Sequence, residues 1–554
     1  MRINSNSEQI RKKSKSPFLK LLILATLIQG CSQETKVSQK LQGEFREEPN
    51  EYITPHYGSD GHKIEVNLIS RGHNSLITKC SEKITSTYKG KNHLTTAVRC
   101  ISPATTSITA MVIWQLNPNE TPQILSKINI SDTEWHDIST SLPKEGGIVS
   151  LVTTPETPAN EGKDLPEIAW QKPVWGDANG SKSPDVCLIS IDTFRSSALH
   201  AAPYLSQLLS EGRSYINAYS PSNWTLPAFA SLATGLLPEE HNVVRNEFSA
   251  NATNHYEDRK FSALKHHPTI AEALSAAGYV TAFVHQNPFL ESWTQLQKGF
   301  HLYARTSDKI GSSDNLINTW WSNHRKSPRF LLAHFMEPHW PYSDRPLFEK
   351  DIKEFLTKDM TPNQRQNFFT VTEEKQNEIQ YEYLNQIKKL DKYLESFIEG
   401  LKKTSRNLII IIHVDHGEEL FDHGSFEHGH SFADCIIKVP LGIIHSGEIR
   451  SEQIGTPVPA HHIGTYLLEY LNIKSELPPS ALGENPNADK RVISTHSLYR
   501  SNIGGKKINK DGSYSIIEQS KLTWANESAS IPIEVLHALE ELGYAGDNTY
   551  PERK

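Results

Sequence analysis

From residue 185 onward, uninterrupted apolar runs alternate with amphipathic stretches. "DVCLISID", "VTAFVHQ", "RFLLAHF" and "NLIIIIHV" are apolar almost throughout, the pattern of strands buried on both faces. "APYLSQLLSEG" and "TIAEALSAAGY" read as helices, the first ended by Gly212, and a long helix is predicted from about Glu378 to Leu401. This alternation predicts an α/β domain: a mostly parallel sheet sandwiched by helices. The chain before it has a different rhythm. Short runs rich in Thr, Val and Ile ("HLTTAVRC", "SITAMVIWQL", "ILSKINI", "GGIVSLVTT") are separated by turn clusters such as "NPNE" and "PKEGG". That spacing predicts a β-sandwich. The expected organisation is a signal segment at 1–31, a polar tether at 32–56, a β-sandwich accessory domain at 57–175, a catalytic domain at 184–480 and a C-terminal subdomain at 481–554. The Pro- and Gly-rich stretch around residues 155–184 is the predicted linker.

At the N-terminus a basic segment (Arg11, Lys12, Lys13, Lys15) precedes an apolar run from Leu21 to Ile28. The run is shorter than the roughly 20 residues needed to span a bilayer and fits a signal-peptide core. It ends in "LIQGC", which resembles a bacterial lipoprotein signal. The resemblance implies that Cys31 is lipidated and that acyl chains tether the protein to a membrane of the bacterial cell envelope, facing the periplasm or the cell surface. An ordinary cleaved signal with a chance cysteine is the alternative. Of the other cysteines, Cys80 and Cys100 could pair in an oxidising compartment, Cys187 reads as a core residue and Cys435 has no assigned role. The net charge of −7, with no basic block beyond the N-terminus, argues against a nucleic-acid partner.

In parallel sheets, ligands bind beyond the carboxyl ends of the strands. Chemistry-bearing residues stand at those positions here. "VCLISID" ends in Asp192; Glu337 and His339 follow "RFLLAHF"; Asp415 and His416 follow "NLIIIIHV", with Gly417 permitting a sharp turn. His416, His423, His428 and His430 crowd one short stretch, well above the average density of a chain with 25 histidines in 554 residues. Taken singly, each is a turn cap, a solvated carboxylate or a surface histidine. Together they suit a divalent cation, zinc, manganese, calcium or magnesium, as one ion or two. "SNWTLPAFASLATG" reads most simply as a helix start, with Thr225 as N-cap, Pro227 in the first turn and Gly235 at the end. A sharper reading makes Thr225 a nucleophile at the positive helix end, activated by a nearby cation.

The segments "PDVCLISIDTFR", "SNWTLPAFASLATGLLPEEHNV", "GYVTAFVHQNP", "HFMEPHWPY", "DHGEELFDHGSFEHGHSFADCIIKVPLGI" and the terminal "LEELGYAG" occur in the order of the sulfatase branch of the alkaline phosphatase superfamily, which the chain resembles from about Pro184 to Gly546. The resemblance implies an alkaline phosphatase/sulfatase-like fold, a metal held by Asp192, Thr225, Asp415 and His416, and Thr225 as nucleophile. It puts His339 near the transferred group and gives His428 or His430 the assisting imidazole. Glu337, His339 and His430 are the candidates for a second metal. Two departures bear on chemistry. The family's usual Cys or Ser followed by x-Pro-x-Arg is here "TLPAF", with threonine at the nucleophile and Phe229 in place of the arginine, and "IDT" replaces an Asp-Asp pair. Threonine carries a β-methyl group and cannot yield the formylglycine aldehyde. The expected activity is therefore metal-dependent hydrolysis of phosphate or sulfate esters, phosphodiesterase-like in preference, on a small-molecule, glycan or lipid substrate. A phosphoethanolamine-type head-group transferase and an inactive envelope binding protein are the alternatives.

Overall fold

The computed structural model describes residues 51–52, 68–72, 75–80, 83–89, 91–101, 107–156, 166–171, 173–176, 183–243, 264, 267–342, 372–405, 407–446, 448, 451–484, 486–495 and 505–517. The signal segment with Cys31, most of the tether and the terminal "LEELGYAG" lie outside them. The described residues fall into two compact units, one within Ser75–Asn179, the other within Glu48–Asn74 and Gly180–Lys554.

The first unit holds β1 (Ser75–Lys79), β2 (Lys83–Tyr88), β3 (His93–Cys100), β4 (Ile108–Gln115), β5 (Gln123–Ile130), β6 (His136–Ser141), β7 (Gly147–Pro155), β8 (Glu167–Gln171) and β9 (Val174–Gly176). They pair antiparallel in two sheets. One runs β9–β3–β8–β1 with β6 also on β3; the other runs β2–β7–β4–β5. Ile84, Ala110, Val112, Val149 and Leu151 from one sheet pack with Leu94, Val98, Ile138, Ile168 and Trp170 from the other in a single core. This is a β-sandwich, as the short alternating runs predict. Cys80 and Cys100 are both buried in that core, and no disulfide joins them.

The second unit is built on β10 (Asp185–Ile191), β11 (Val280–His285), β12 (Leu302–Thr306), β13 (Arg329–Phe335), β14 (Leu408–Val414) and β15 (Gly442–His445). The order β12–β11–β13–β10–β14 is parallel throughout, and β15 joins β14 antiparallel. Leu68–Gly72 runs antiparallel along the far edge of β12. All residues of β10, β13 and β14 are buried, which is why their sequences do not alternate. The register has a direct consequence for chemistry. Ile191 pairs with both Phe335 and Val414, so the three strands end level and Asp192 and Asp415 emerge side by side.

Helices α1 (Pro203–Glu211), α2 (Thr225–Thr234), α3 (Ile270–Ala276) and α4 (Glu373–Thr404) connect the strands. Helix α4 is longer at both ends than its sequence periodicity predicts; its start is set by Thr372, whose side chain accepts from the Lys375 N–H. It buries Ile379, Tyr383, Ile387, Leu390, Leu394, Ile398 and Leu401 at helical spacing. The Asp391 carboxylate accepts the Tyr204 and Leu205 N–H groups at 3.0 and 2.9 Å and so serves as a cap for α1. A small antiparallel sheet of Val492–Thr495, Gly505–Ile508 and Tyr514–Ile517 packs Val492 and Ile508 on Tyr219, Ile436 and Ile437.

At the opposite end of β10 from Asp192, Asp185 meets Arg329 at the start of β13. Arg329 Nε donates to Asp185 Oδ1 at 3.0 Å, and the guanidinium stacks on Trp321 with 4.1 Å to the ring centre. Both side chains are buried. Asp185→Ala leaves that cation without its counter-charge, and the expected cost is about 3–5 kcal/mol. Denaturant unfolding of the variant measures it; a loss within 1 kcal/mol, by order of magnitude for a surface pair, contradicts this role.

Candidate active site

The level strand ends gather five polar side chains into one buried cluster. Asp192 follows β10; Asp415 and His416 follow β14; His334 is the penultimate residue of β13; Asn287 follows β11. Thr225 faces them from the start of α2. Its Oγ1 lies 3.3 Å from His416 Nε2 and 3.4 Å from Asn287 Nδ2. Asn287 Nδ2 also donates to Asp192 Oδ2 at 2.8 Å, while Asn287 Oδ1 accepts the Phe289 N–H at 2.9 Å, an arrangement that points the amide nitrogen inward. His416 Nε2 stands 3.6 Å from Asp192 Oδ1 and 3.6 Å from Asp415 Oδ2, and His334 Nε2 stands 3.3 Å from Asp192 Oδ2. Asp192, His334 and Asp415 offer ligand atoms all within 4.8 Å of one another.

The electrostatics of this cluster call for a cation. Two carboxylates lie side by side with no exposure to solvent. Among the described residues, Asp192 Oδ1 and Asp415 Oδ2 have no hydrogen-bond partner, a costly state for buried acceptors. Burial works to raise Asp192, but the His334 hydrogen bond, with His339 and His416, holds its carboxyl well below the ordinary range. Burial and then the neighbouring Asp192 push Asp415 well above that range. One carboxylate is thus charged and the other protonated unless a positive ion sits between them. Orphaned oxygens from two acids, with an imidazole and a hydroxyl beside them, fit a hard or borderline divalent ion.

The local backbone places Thr225 differently from the simplest helix-start reading. Trp224 is the N-cap, extended at φ −161° and without a side-chain capping bond, and Thr225 is the first helical residue, its Oγ1 lying against His416 and Asn287. Its hydroxyl is therefore directed to the cluster. Gly235 does end the helix, in the left-handed region at φ 71°. Phe229, one turn on, is buried, stacks on Phe283 at 5.8 Å and meets His334 edge-on at 5.3 Å. The position at which the resemblance leads one to expect an arginine is here part of an aromatic core. Thr193, immediately after Asp192, takes a left-handed φ of 54°, strained for a β-branched residue. Tyr383 from α4 pins this turn: its hydroxyl donates to the Thr193 carbonyl at 2.8 Å and accepts the Arg195 N–H at 3.0 Å.

A second layer of groups surrounds His428. Its Nδ1 lies 2.8 Å from Glu418 Oε1, and the Tyr342 hydroxyl donates to Glu418 Oε2 at 2.9 Å. The His428 ring sits 4.3 Å from that of His416 and 5.3 Å from that of His339, centre to centre. Burial pushes the Glu418 carboxyl up to about 8. His428 thus belongs to the site, oriented by a buried carboxyl through one ring nitrogen.

The remaining candidates separate. His430 Nε2 turns to Glu419 Oε2 at 2.9 Å. Burial pushes the Glu337 carboxyl up to about 7, and among the described residues its Oε2 has no hydrogen-bond partner. Among the described residues, Glu337, His339 and His430 do not form a group whose ligand atoms all lie within 4.8 Å of one another, as a second metal set would require. Sequence reasoning missed Asn287, His334, Glu418 and Tyr342. Asn287 carried a signal, since it too stands just past a parallel strand. His334 did not, because a histidine inside an apolar run reads as core.

Residues 184–473 match the family described as Sulfatase. Among solved structures, a candidate sulfatase from Bacteroides thetaiotaomicron is similar at 17% identity and a TM-score of 0.48, over 61% of this chain and 86% of that one. A 2-O GAG sulfatase is similar at 17% identity and a TM-score of 0.46, over the same shares. The phosphonate monoester hydrolase of Agrobacterium radiobacter is similar at 18% identity and a TM-score of 0.43, over 61% and 90%. No curated protein matches the sequence.

The raised carboxyls give a pH signature. In chelator-treated protein, Asp415 and Glu418 keep protons in the fold that the unfolded chain has released, and both must give them up as pH rises, Glu418 near 8. Buried His416 and His413, held below 6.5 by burial, act in the opposite sense but only below that value. Between pH 6.5 and 8 the carboxyl contribution is uncompensated. Stability then falls as pH rises, by up to about 1.4 kcal/mol per pH unit for each group. Adding a divalent cation flattens the slope. Thermal unfolding with and without chelator measures both, and a slope indifferent to the cation rules this account out.

Proposed function

The chain belongs to the sulfatase family, and from that premise we propose that it is a metal-dependent hydrolase of phosphate or sulfate esters with Thr225 as its nucleophile. One observation carries the reading: a buried threonine hydroxyl at a helix start, within 3.4 Å of His416 and Asn287, beside two carboxylates with unpartnered oxygens. Asp192, Thr225, Asp415 and His416 would hold a divalent ion, which would supply Lewis acidity that favours the ionised Thr225 hydroxyl and offsets charge on the ester oxygens. The chain's own residues do the rest. Asn287 orients Thr225 Oγ1 against Asp192. The first N–H groups of α2 face the anionic group. Thr225 Oγ1 attacks phosphorus or sulfur, the bond to the leaving oxygen breaks, and His428 delivers a proton to that oxygen. Water then cleaves the threonine ester, and the imidazole recovers its proton. Glu418 keeps His428 in one orientation through both steps.

Phosphoryl substrates, diesters above all, fit this reading better than sulfates. Threonine excludes the aldehyde chemistry of formylglycine, and Phe229 supplies no guanidinium for a sulfate group. Aryl phosphomonoesters, phosphodiesters, phosphonates and sulfates, assayed side by side, test the preference. Thr225→Ala is expected to lose at least ~10³-fold in kcat, with Thr225→Ser partly active. Undiminished turnover by Thr225→Ala excludes the mechanism.

The same reading places the enzyme on the bacterial envelope, facing the periplasm or cell surface, held by lipid on Cys31 and acting on a small-molecule, glycan or lipid ester. Cells fed labelled palmitate are expected to label the protein and not its Cys31→Ser variant. Equal labelling of the two, or none, removes the anchor.

A further inference from the structure

A separate set of metal-ligating side chains lies on the segment that follows His416. Glu419, His423 and Cys435 present ligand atoms all within 4.8 Å of one another. Glu419 Oε1 and His423 Nδ1 are 3.5 Å apart. Tetrahedral zinc, with bonds of about 2.0–2.3 Å to oxygen, nitrogen and sulfur, sets its ligand atoms roughly 3.3–3.7 Å from each other. A small adjustment of side chains closes the set. Glu419 is buried, Cys435 is partly buried, and the His423 side chain is 64% exposed, so an ion has a way in.

The neighbourhood is built to hold these groups. The backbone N–H groups of His423 and Ser425 reach Glu419 Oε1 at 3.0 and 3.3 Å, and His430 Nε2 holds Oε2 at 2.9 Å. Such outer bonds fix a ligating carboxylate in place. Cys435 is brought opposite by the main chain: its carbonyl accepts the Glu418 N–H at 3.0 Å, and the Ile436 carbonyl accepts that of Gly417. Only glycine permits this approach, since a Cβ at residue 417 falls 2.2 Å from the Cys435 carbonyl oxygen. The nearby cation, Arg195, is engaged by Asp422 in a two-pronged pair at 2.9 and 2.6 Å.

We propose that Glu419, His423 and Cys435 form a second cation site, separate from the cluster at Thr225, that takes zinc or a similar thiolate-binding metal with water as fourth ligand. Carboxylate, imidazole and thiolate together select zinc over magnesium or calcium. The ion ties the two ends of the segment 419–435, which carries His428 and His430. Its role is to hold that segment closed.

Cobalt(II) substitution of the full-length, reduced protein tests this. The expected result is a thiolate-to-cobalt charge-transfer band in the near ultraviolet. It disappears in Cys435→Ser and persists in Asp192→Asn/Asp415→Asn, because the Thr225 cluster contains no sulfur. The two sites therefore fail or stand independently. In His423→Ala the affinity for zinc, followed by protection of Cys435 from alkylation, drops at least about tenfold. Near-ultraviolet circular dichroism checks that each variant is folded. Folded wild-type protein with no such band at saturating cobalt, or a band that survives in Cys435→Ser, overturns the proposal.

Discussion

Two carboxylates lying side by side in the buried interior govern this molecule. Asp192 and Asp415 are completely buried, and each has an oxygen without a hydrogen-bond partner among the described residues. Neither a hydrophobic core nor a helix dipole can balance two adjacent negative charges there. The surrounding imidazoles supply part of the compensation, and His334, His416 and Asn287 are spaced to do so. The rest must come from protons or from a metal ion. The pH behaviour of the fold and its catalytic competence are thus two consequences of one arrangement.

That arrangement is created by strand register. Because β10, β13 and β14 end level, residues more than two hundred positions apart emerge together at one edge of the sheet. The strands themselves are uniformly apolar and buried, which makes the edge rigid. The Arg329–Asp185 pair secures the opposite ends of β10 and β13. Tyr383 of α4 holds the strained turn at Thr193 immediately beyond Asp192. Scaffold and site are therefore joined by specific hydrogen bonds as well as by packing.

Aromatic packing sets what chemistry is left to the cluster. Phe229 is committed to Phe283 and His334, so no guanidinium approaches from α2. Imidazoles furnish the cluster instead, with His428 turned to Glu418 and its ring tilted against that of His416. A site furnished with histidines responds to pH and to metal more strongly than one furnished with lysine and arginine.

Much of this was legible in the chain. Uninterrupted apolar runs determine buried parallel strands, because alternation vanishes when both faces are covered, and short Thr/Val/Ile runs determine the two-sheet unit before them. Asp192, Asp415 and His416, just past those runs, could be chosen from topology rules, and Thr225 from its helix-start motif and the family resemblance. The tertiary structure decided what one-dimensional order cannot encode. It turned Asn287 and His334 toward Asp192, because those contacts depend on which strands are neighbours. It sent His428 to Glu418 and His430 to Glu419, because side-chain direction in a folded-back loop depends on its partners. It did not bring the ligand atoms of Glu337, His339 and His430 within 4.8 Å of one another among the described residues, because nearness in sequence or in motif does not fix where side chains point. Periodicity is a local property and survives in sequence; convergence is a sum over distant contacts and exists only once the chain has closed on itself.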